Sequence, residues 1–260
     1  VARSVVDAWL VEEQGSEVIR VVNQTSAMEA FARPEPMKSY TKTIPRSGAV
    51  GVSVVAKGSA YAEDAGTVDE ITITARKFGT VVRLAEEDLE DELVNILEEK
   101  KAAWANAYAV IIDNACLAVT AATNGTTVPF TSVYRAVTQA DASVGYTANA
   151  NYIATAGTGA PVTYAQLRQL VAKYEASPFY DETAGLLIAH PSFRDAFRGI
   201  LDTQNRPIFL ESTNSASPDK LFGYDMKFSL GAKTSATATN VPGGNPIMAL
   251  GNRNLLRLGK

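Results

Sequence analysis

Cysteine and histidine are almost missing from this 260-residue chain, with Cys116 and His190 the single copy of each. One cysteine cannot close an intramolecular disulfide, and one histidine cannot build a cluster of histidine metal ligands, so disulfide scaffolds and zinc fingers are excluded. Clustered cations are scarce too. Lys and Arg total 24 against 28 Asp and Glu, the net charge is −4, and no basic run exceeds a pair such as Lys100-Lys101. Phosphate affinity comes mainly from clustered cations, which disfavours sequence-general nucleic-acid binding. Long apolar runs are also absent. Thr, Asn, Gly and Pro interrupt the two uncharged stretches 114–134 and 142–167. Neither therefore offers the ~20 consecutive apolar residues of a membrane-crossing helix. The start, Val1-Ala2-Arg3-Ser4, leads into mixed charged sequence rather than the apolar block of a targeting signal, and the chain reads as soluble.

What is present is a core-forming composition, 46% hydrophobic and 20% charged, in a length that suits one large domain or two small ones. Val5, Val6, Trp9, Leu10, Val18, Ile19, Val21 and Val22 flank a break at Glu12-Glu13-Gln14-Gly15 and predict one or two short helices. Arg33-Pro34-Glu35-Pro36 then enforces extended chain, so residues 1–36 read as an arm. Val50, Val52 and Val54, then Ile71 and Ile73, alternate with small or polar residues and predict a long β-hairpin with a polar tip at 57–66. The apolar set then shifts to Phe78, Val82 and Leu84, which predicts a bulge or bend where the hairpin joins the body.

Helical spacing of Leu89, Leu93, Ile96, Leu97, Trp104, Tyr108, Ile111, Ala115 and Ala118 predicts a helix over about 85–120. Unbroken, it would be ~50 Å long. Its acidic start, Glu86, Glu87, Asp88, Glu90, Asp91 and Glu92, precedes Lys100 and Lys101, an order that suits the helix dipole. Residues 121–160 read as loops with short strands around 128–137. An α+β segment follows. Thr163 caps a helix bearing Leu167, Leu170, Val171 and Tyr174, residues 185–189 read as a buried strand, and Pro191 opens a helix with Phe193, Phe197, Ile200 and Leu201 inward. Strands at 207–210, 220–230 and 246–250 complete its sheet.

No constellation reaches an enzyme. Ser192 and Asp195 lie near His190 in sequence, but a triad converges through the fold rather than along one short stretch. Cys116 sits on the apolar side of the long helix, as an inert thiol would. Consecutive acids on one helix point in different directions, which suits a solvated or partner-facing helix start better than a cation site. Gly157, Gly159 and Gly243-Gly244 lack the following helix and Lys-Ser/Thr of a phosphate loop. No cofactor is expected. A projecting arm, a long hairpin and a very long helix leave apolar groups uncovered, which argues for self-assembly.

The order of these segments resembles the major capsid proteins of tailed bacteriophages, the Hong-Kong-97 fold, over nearly the whole chain. The matching stretches are Val54-Val55-Ala56-Lys57-Gly58 to Glu63-Asp64, similar to the family's E-loop, then Ile71-Thr72-Ile73 and Val81-Val82-Arg83-Leu84. They continue with the acidic entry to the spine helix, Ile188-Ala189-His190-Pro191, the segment 201–208, and Leu221-Phe222-Gly223-Tyr224. Asn205 stands where a Gly is usual and Asp225 where a Pro is common. The resemblance implies an α+β capsid fold with an N-terminal arm (1–36), a peripheral domain (37–48 and 79–159), an E-loop hairpin (49–78), an axial domain (160–252) and a return toward the peripheral domain (253–260).

It further implies hexamers and pentamers of an icosahedral shell around double-stranded DNA, in a virion assembled in the host bacterial cytoplasm. Subunit contacts would then fall on Lys57, Gly58, Tyr61, Glu63 and Asp64 of the E-loop, on Val5, Trp9, Arg20 and Phe31 of the arm, and on Glu86, Glu87, Asp88, Glu90 and Asp91 at the helix start. A scaffolding segment, maturation protease, portal and decoration proteins are the implied partners, with no membrane. Some relatives lose an N-terminal segment to that protease, one way for a chain to begin at Val1. The alternatives are an encapsulin-type nanocompartment shell and a soluble α+β enzyme.

Overall fold

The computed structural model describes residues 23–47, 51–61, 63, 68–86, 95–142, 145–155, 157, 161–201, 204 and 220–259. The expected arm helices within 5–22 and the strand at 207–210 lie outside them.

A short helix α1 (Ala27–Phe31) follows Ser26, whose hydroxyl accepts the Glu29 N–H as an N-cap. Strand β1 (Arg33–Glu35) comes next, as the prolines dictate. The hairpin consists of β2 (Thr41–Ser47) and β3 (Val68–Thr74), antiparallel, with Thr43 opposite Thr72 and Ile44 opposite Ile71. The hairpin exists as predicted, but its first arm is 41–47 rather than the valines at 50–54. Cross-strand Thr–Thr and Ile–Ile pairs favour this register. Pro45 is tolerated because β2 has only one neighbour in the ladder. Residues 51–56 carry no strand, and neither does 81–84, where Val81 and Val82 are exposed.

The long helix, α2, spans Ile96–Leu117, 22 residues. It measures about 33 Å. The helix expected over about 85–120 is interrupted at Asn95, which has non-helical dihedrals and accepts the Glu98 N–H at 3.0 Å, capping a helix that begins at Ile96. Glu86 is itself helical, and 87–94 lie outside the described residues. Glu98 and Glu99 supply the favourable acidic first turn. Only the second half is enclosed, by Ala109, Val110, Ile112, Ala115 and Leu117, while Leu97 and Trp104 remain exposed. Beyond α2, helix α3 (Val133–Thr138) replaces the strands expected at 128–137, because Ser132 caps the Arg135 N–H.

A four-stranded sheet forms the second half, in the order β5 (Lys220–Leu221), β6 (Tyr224–Phe228), β4 (Gly185–Ala189), β7 (Met248–Asn252). β4 runs parallel to β6 and antiparallel to β7. Alternation along β4 feeds two cores, as side chains of a strand must point to opposite faces. Leu186 and Ile188 meet Met28, Leu117, Ala118 and Ala232 on one side. Leu187 and Ala189 meet Leu167, Phe197, Ile200 and Met226 on the other. That second layer is built by α4 (Tyr164–Glu175) and α5 (Phe193–Arg198). α4 opens with a reciprocal capping box between Thr163 and Gln166 and buries Leu167, Val171 and Tyr174 at helical spacing. Leu201 is exposed rather than inward, one residue past the buried Ile200. Phe222 and Gly223, both at positive φ, make the two-residue β5–β6 turn. The chain closes through a 3₁₀ turn (Arg253–Leu255) into β8 (Arg257–Gly259), parallel to β1.

Candidate functional site

The hairpin is fastened at one end and bare at the other. At its base the Arg76 guanidinium donates to the Tyr40 hydroxyl (2.9 Å) and the Pro129 carbonyl (3.4 Å). Gly125, at φ +76°, lies against that guanidinium, where a side chain would crowd it. Lys42 reaches Glu35 at 3.0 Å, and Arg257 donates to the same carboxylate, so β1, β2 and β8 meet at one anion. The Lys42 hydrogen bond is the main reason that the Glu35 carboxyl lies below the ordinary range. Arg46 pairs with Asp69 farther along the ladder.

Between the two strands most of the described side chains are exposed. Val52 is 97% exposed and Tyr61 87%, and Val54 is fully exposed. Lys57 and Gly58 form a turn, closed by the Ser59 N–H on the Ala56 carbonyl at 3.0 Å, with Gly58 at φ +88°. Between the hairpin base, α2 and β8 lies an open groove of about 900 Å³, lined by Met37, Ile73, Phe78, Tyr108, Phe130 and Leu258 among others.

A buried polar hub occupies the last turns of α2. Asp113, 1% exposed, accepts from the Ser26 hydroxyl (2.5 Å), the Ala27 and Met28 amides (2.9 and 3.0 Å) and the Ser229 hydroxyl (2.5 Å). Asn114 donates to the Gly231 and Lys233 carbonyls and accepts from the Ser235 hydroxyl and the Thr239 amide. Gly231 comes so close to the α2 backbone that a Cβ there would sit 2.6 Å from the Asn114 nitrogen. A charge this deep is tolerated because every side of it is hydrogen-bonded. Sequence reading passed over this pair; a carboxylate set between Ile112 and Ala115 in an apolar helical pattern was the available signal.

Among the described residues, those predicted as contacts do not gather into one site. Lys57, Gly58, Tyr61 and Glu63 lie exposed on the hairpin extension, and Glu86 is exposed after it. Phe31 packs on its own chain's core, with the Lys227 ammonium 5.6 Å from its ring centre. Val5, Trp9, Arg20, Asp64, Glu87, Asp88, Glu90 and Asp91 lie outside the described residues.

Reactive groups are quiet. His190 Nδ1 lies 2.8 Å from the Ser192 hydroxyl and accepts the Ser192 amide, a local turn at the start of α5. Burial, then the charge of Lys233, push its pKa down to about 4. The Cys116 thiol is pushed up to about 12, chiefly by burial and secondarily by Asp113 and Glu29. A thiol held protonated at neutral pH is a poor nucleophile. Among the described residues no group of His, Cys, Asp and Glu could hold a metal ion, and no helix is long and apolar enough to cross a membrane.

The sequence matches the phage capsid family over residues 8–252. The chain belongs to the phage capsid family. Solved structures agree on the fold. The chain is similar to one from Mycobacterium phage Bobi, with a TM-score of 0.70, 18% identity, and 99% of this chain and 79% of that one covered. It is also similar to a chain from Microbacterium phage Oxtober96 (TM-score 0.67, 17% identity, 98% and 79% covered). A third similar chain is from the capsid of a native GTA particle computed with C5 symmetry (TM-score 0.65, 18% identity, 92% and 80% covered). No curated protein matches. Membership makes this a structural phage capsid protein rather than an enzyme, with the α+β Hong-Kong-97-like capsid fold.

Proposed function

We propose that this capsid protein is the repeating subunit of the shell, assembling into hexamers and pentamers of an icosahedral particle that encloses double-stranded DNA. In this reading the β2–β3 hairpin with residues 51–63 is the E-loop, α2 the spine helix, and the sheet with α4 and α5 the axial domain. The arm, the hairpin extension and the acidic stretch 86–91 meet neighbouring copies. The observation that carries it is the aliphatic and aromatic surface held out on the hairpin extension, Val52, Val54 and Tyr61, by a base that is pinned through Arg76. Apolar side chains fixed away from their own core gain burial only when another molecule covers them.

The net charge of −4 suits a container, because a strongly basic lining would grip the DNA it must release. A scaffolding segment, maturation protease, portal and decoration proteins are the partners such a shell uses, and the virion, assembled in the host bacterial cytoplasm, is its place. Negative-stain electron microscopy of the expressed chain beside its sedimentation profile tests the proposal. Closed shells or free hexamers and pentamers are expected. A compact monomer at every concentration would contradict it.

A further inference from the structure

We propose that the Asp113 carboxylate is a latch that couples the N-terminal segment of the chain to the sheet, so that a change at residues 26–28 is felt at 229–232. This goes beyond the capsid reading and does not depend on assembly. One carboxylate holds two segments that are otherwise remote in sequence. Its Oδ1 accepts the Ser26 hydroxyl and the Met28 amide, and its Oδ2 accepts the Ala27 amide and the Ser229 hydroxyl.

Each serine also receives a backbone amide. Glu29 N–H donates to Ser26 Oγ at 3.1 Å, and Gly231 N–H donates to Ser229 Oγ at 3.1 Å. The result is a symmetric relay, amide to hydroxyl to carboxylate from either side. Hydrogen bonds in series at a buried charge polarise one another, so loss of one donor weakens the acceptor's hold on the rest through its altered position.

The two ends of the relay differ in what they attach to. On one side is α1, near the start of the described residues, preceded by Gln24, whose amide donates to Asn106 of α2 at 3.0 Å. On the other side Ser229 follows β6 directly, and its own amide donates to the Ala189 carbonyl at the end of β4. Gly231 is wedged on the α2 backbone beside Asn114, so this loop has no room to drift unless the carboxylate lets Ser229 go. Asn114, the next residue, secures the continuation of the loop at 231, 233, 235 and 239 without touching α1. Asp113 therefore joins the two sides by hydrogen bonds, beside the apolar contacts of α1 with Ala232 and the Lys227 ammonium of β6 5.6 Å from the Phe31 ring.

Amide hydrogen exchange on the full chain tests the latch. Ser26→Ala removes one donor on the arm side and leaves the loop's own residues intact. Exchange should accelerate about tenfold at Ala27 and Met28, and also at Ser229, Gly231 and Ala232. Ala30→Gly loosens α1 without touching the carboxylate and should leave 229–232 unchanged. Ser26→Thr, which restores the hydroxyl, should restore slow exchange at 229–232. In an Asp113→Asn background, which presents an amide to the surrounding donors, Ser26→Ala should add nothing further at 229–232. If that background does not fold, the comparison of Ser26→Ala with Ala30→Gly decides alone. Acceleration confined to 27–29 would overturn the proposal, and so would equal acceleration throughout the sheet including Leu187, which would mean global opening.

Discussion

Strand β4 and the hairpin extension have comparable aliphatic sequence, Gly185-Leu186-Leu187-Ile188-Ala189 in one and Gly51-Val52-Ser53-Val54-Val55 in the other. Their surroundings are opposite. β4 lies between two neighbours in the sheet with helices on one face and α2 on the other, and Leu187 is 0% exposed. Residues 52–56 are not part of a strand, and Val52 and Val54 stand in solvent. The difference teaches that β-branched or aliphatic alternation states only that a surface wants cover. Whether the cover comes from the same chain is decided by the length of the connection and by what is pinned at its base. In this capsid protein Arg76, Glu35 and their partners fix the hairpin where its own core cannot reach the tip.

The widest separation between the two regions is expected from truncation. Leu187→Ala should destabilise the chain by about 2–5 kcal/mol, whereas Val54→Ala should stay within about 0.5 kcal/mol, both read from urea unfolding. A similar cost for the two would erase the comparison. Gly231→Ala sharpens it from the loop side: its methyl must push α2 or the loop aside, at about 1–3 kcal/mol, visible as a lowered unfolding midpoint.

Above the carboxylate range, the pH dependence of stability probes the sheet region through His190. With the His190 pKa held near about 4 against 6.5 in the open, the unfolded chain takes the proton first. That contribution is complete above about 6.5 and is lost as pH falls toward about 4. His190→Gln should flatten this part of the stability profile, and an unchanged slope would remove His190 from the account. The smallest effect on stability, and the largest on assembly, belongs to exchanging the exposed tip side chains for serine.

Much of the second half was legible in sequence, because its signals are local. The Thr163 capping box, the apolar spacing of Leu167, Val171 and Tyr174, and the continuous apolar strand 185–189 each state their element without help. The hairpin was legible as an element but not in register, since valines at 50–54 alternate as well as Thr41–Ser47 does and only pairing decides between them. The interruption of the long helix at Asn95 was not legible, because apolar spacing runs on past it and the only signal is one capping side chain. Of the candidate contacts, Lys57, Gly58, Tyr61 and Glu63 were legible as exposed loop residues; in the proposed reading their partners would belong to other molecules, which leave no local pattern. Asp113 was missed for a related reason: its donors come from about 85 and 116 residues away.

The central claim is that the hairpin extension serves contact between copies and contributes nothing to the fold of its own chain. Sedimentation velocity and urea unfolding of a Val52→Ser, Val54→Ser, Tyr61→Ser variant, beside the parent chain, test it most directly. The account predicts an unchanged unfolding midpoint together with loss of the assembled species. A lowered midpoint, or assembly at the parent's level, would contradict it.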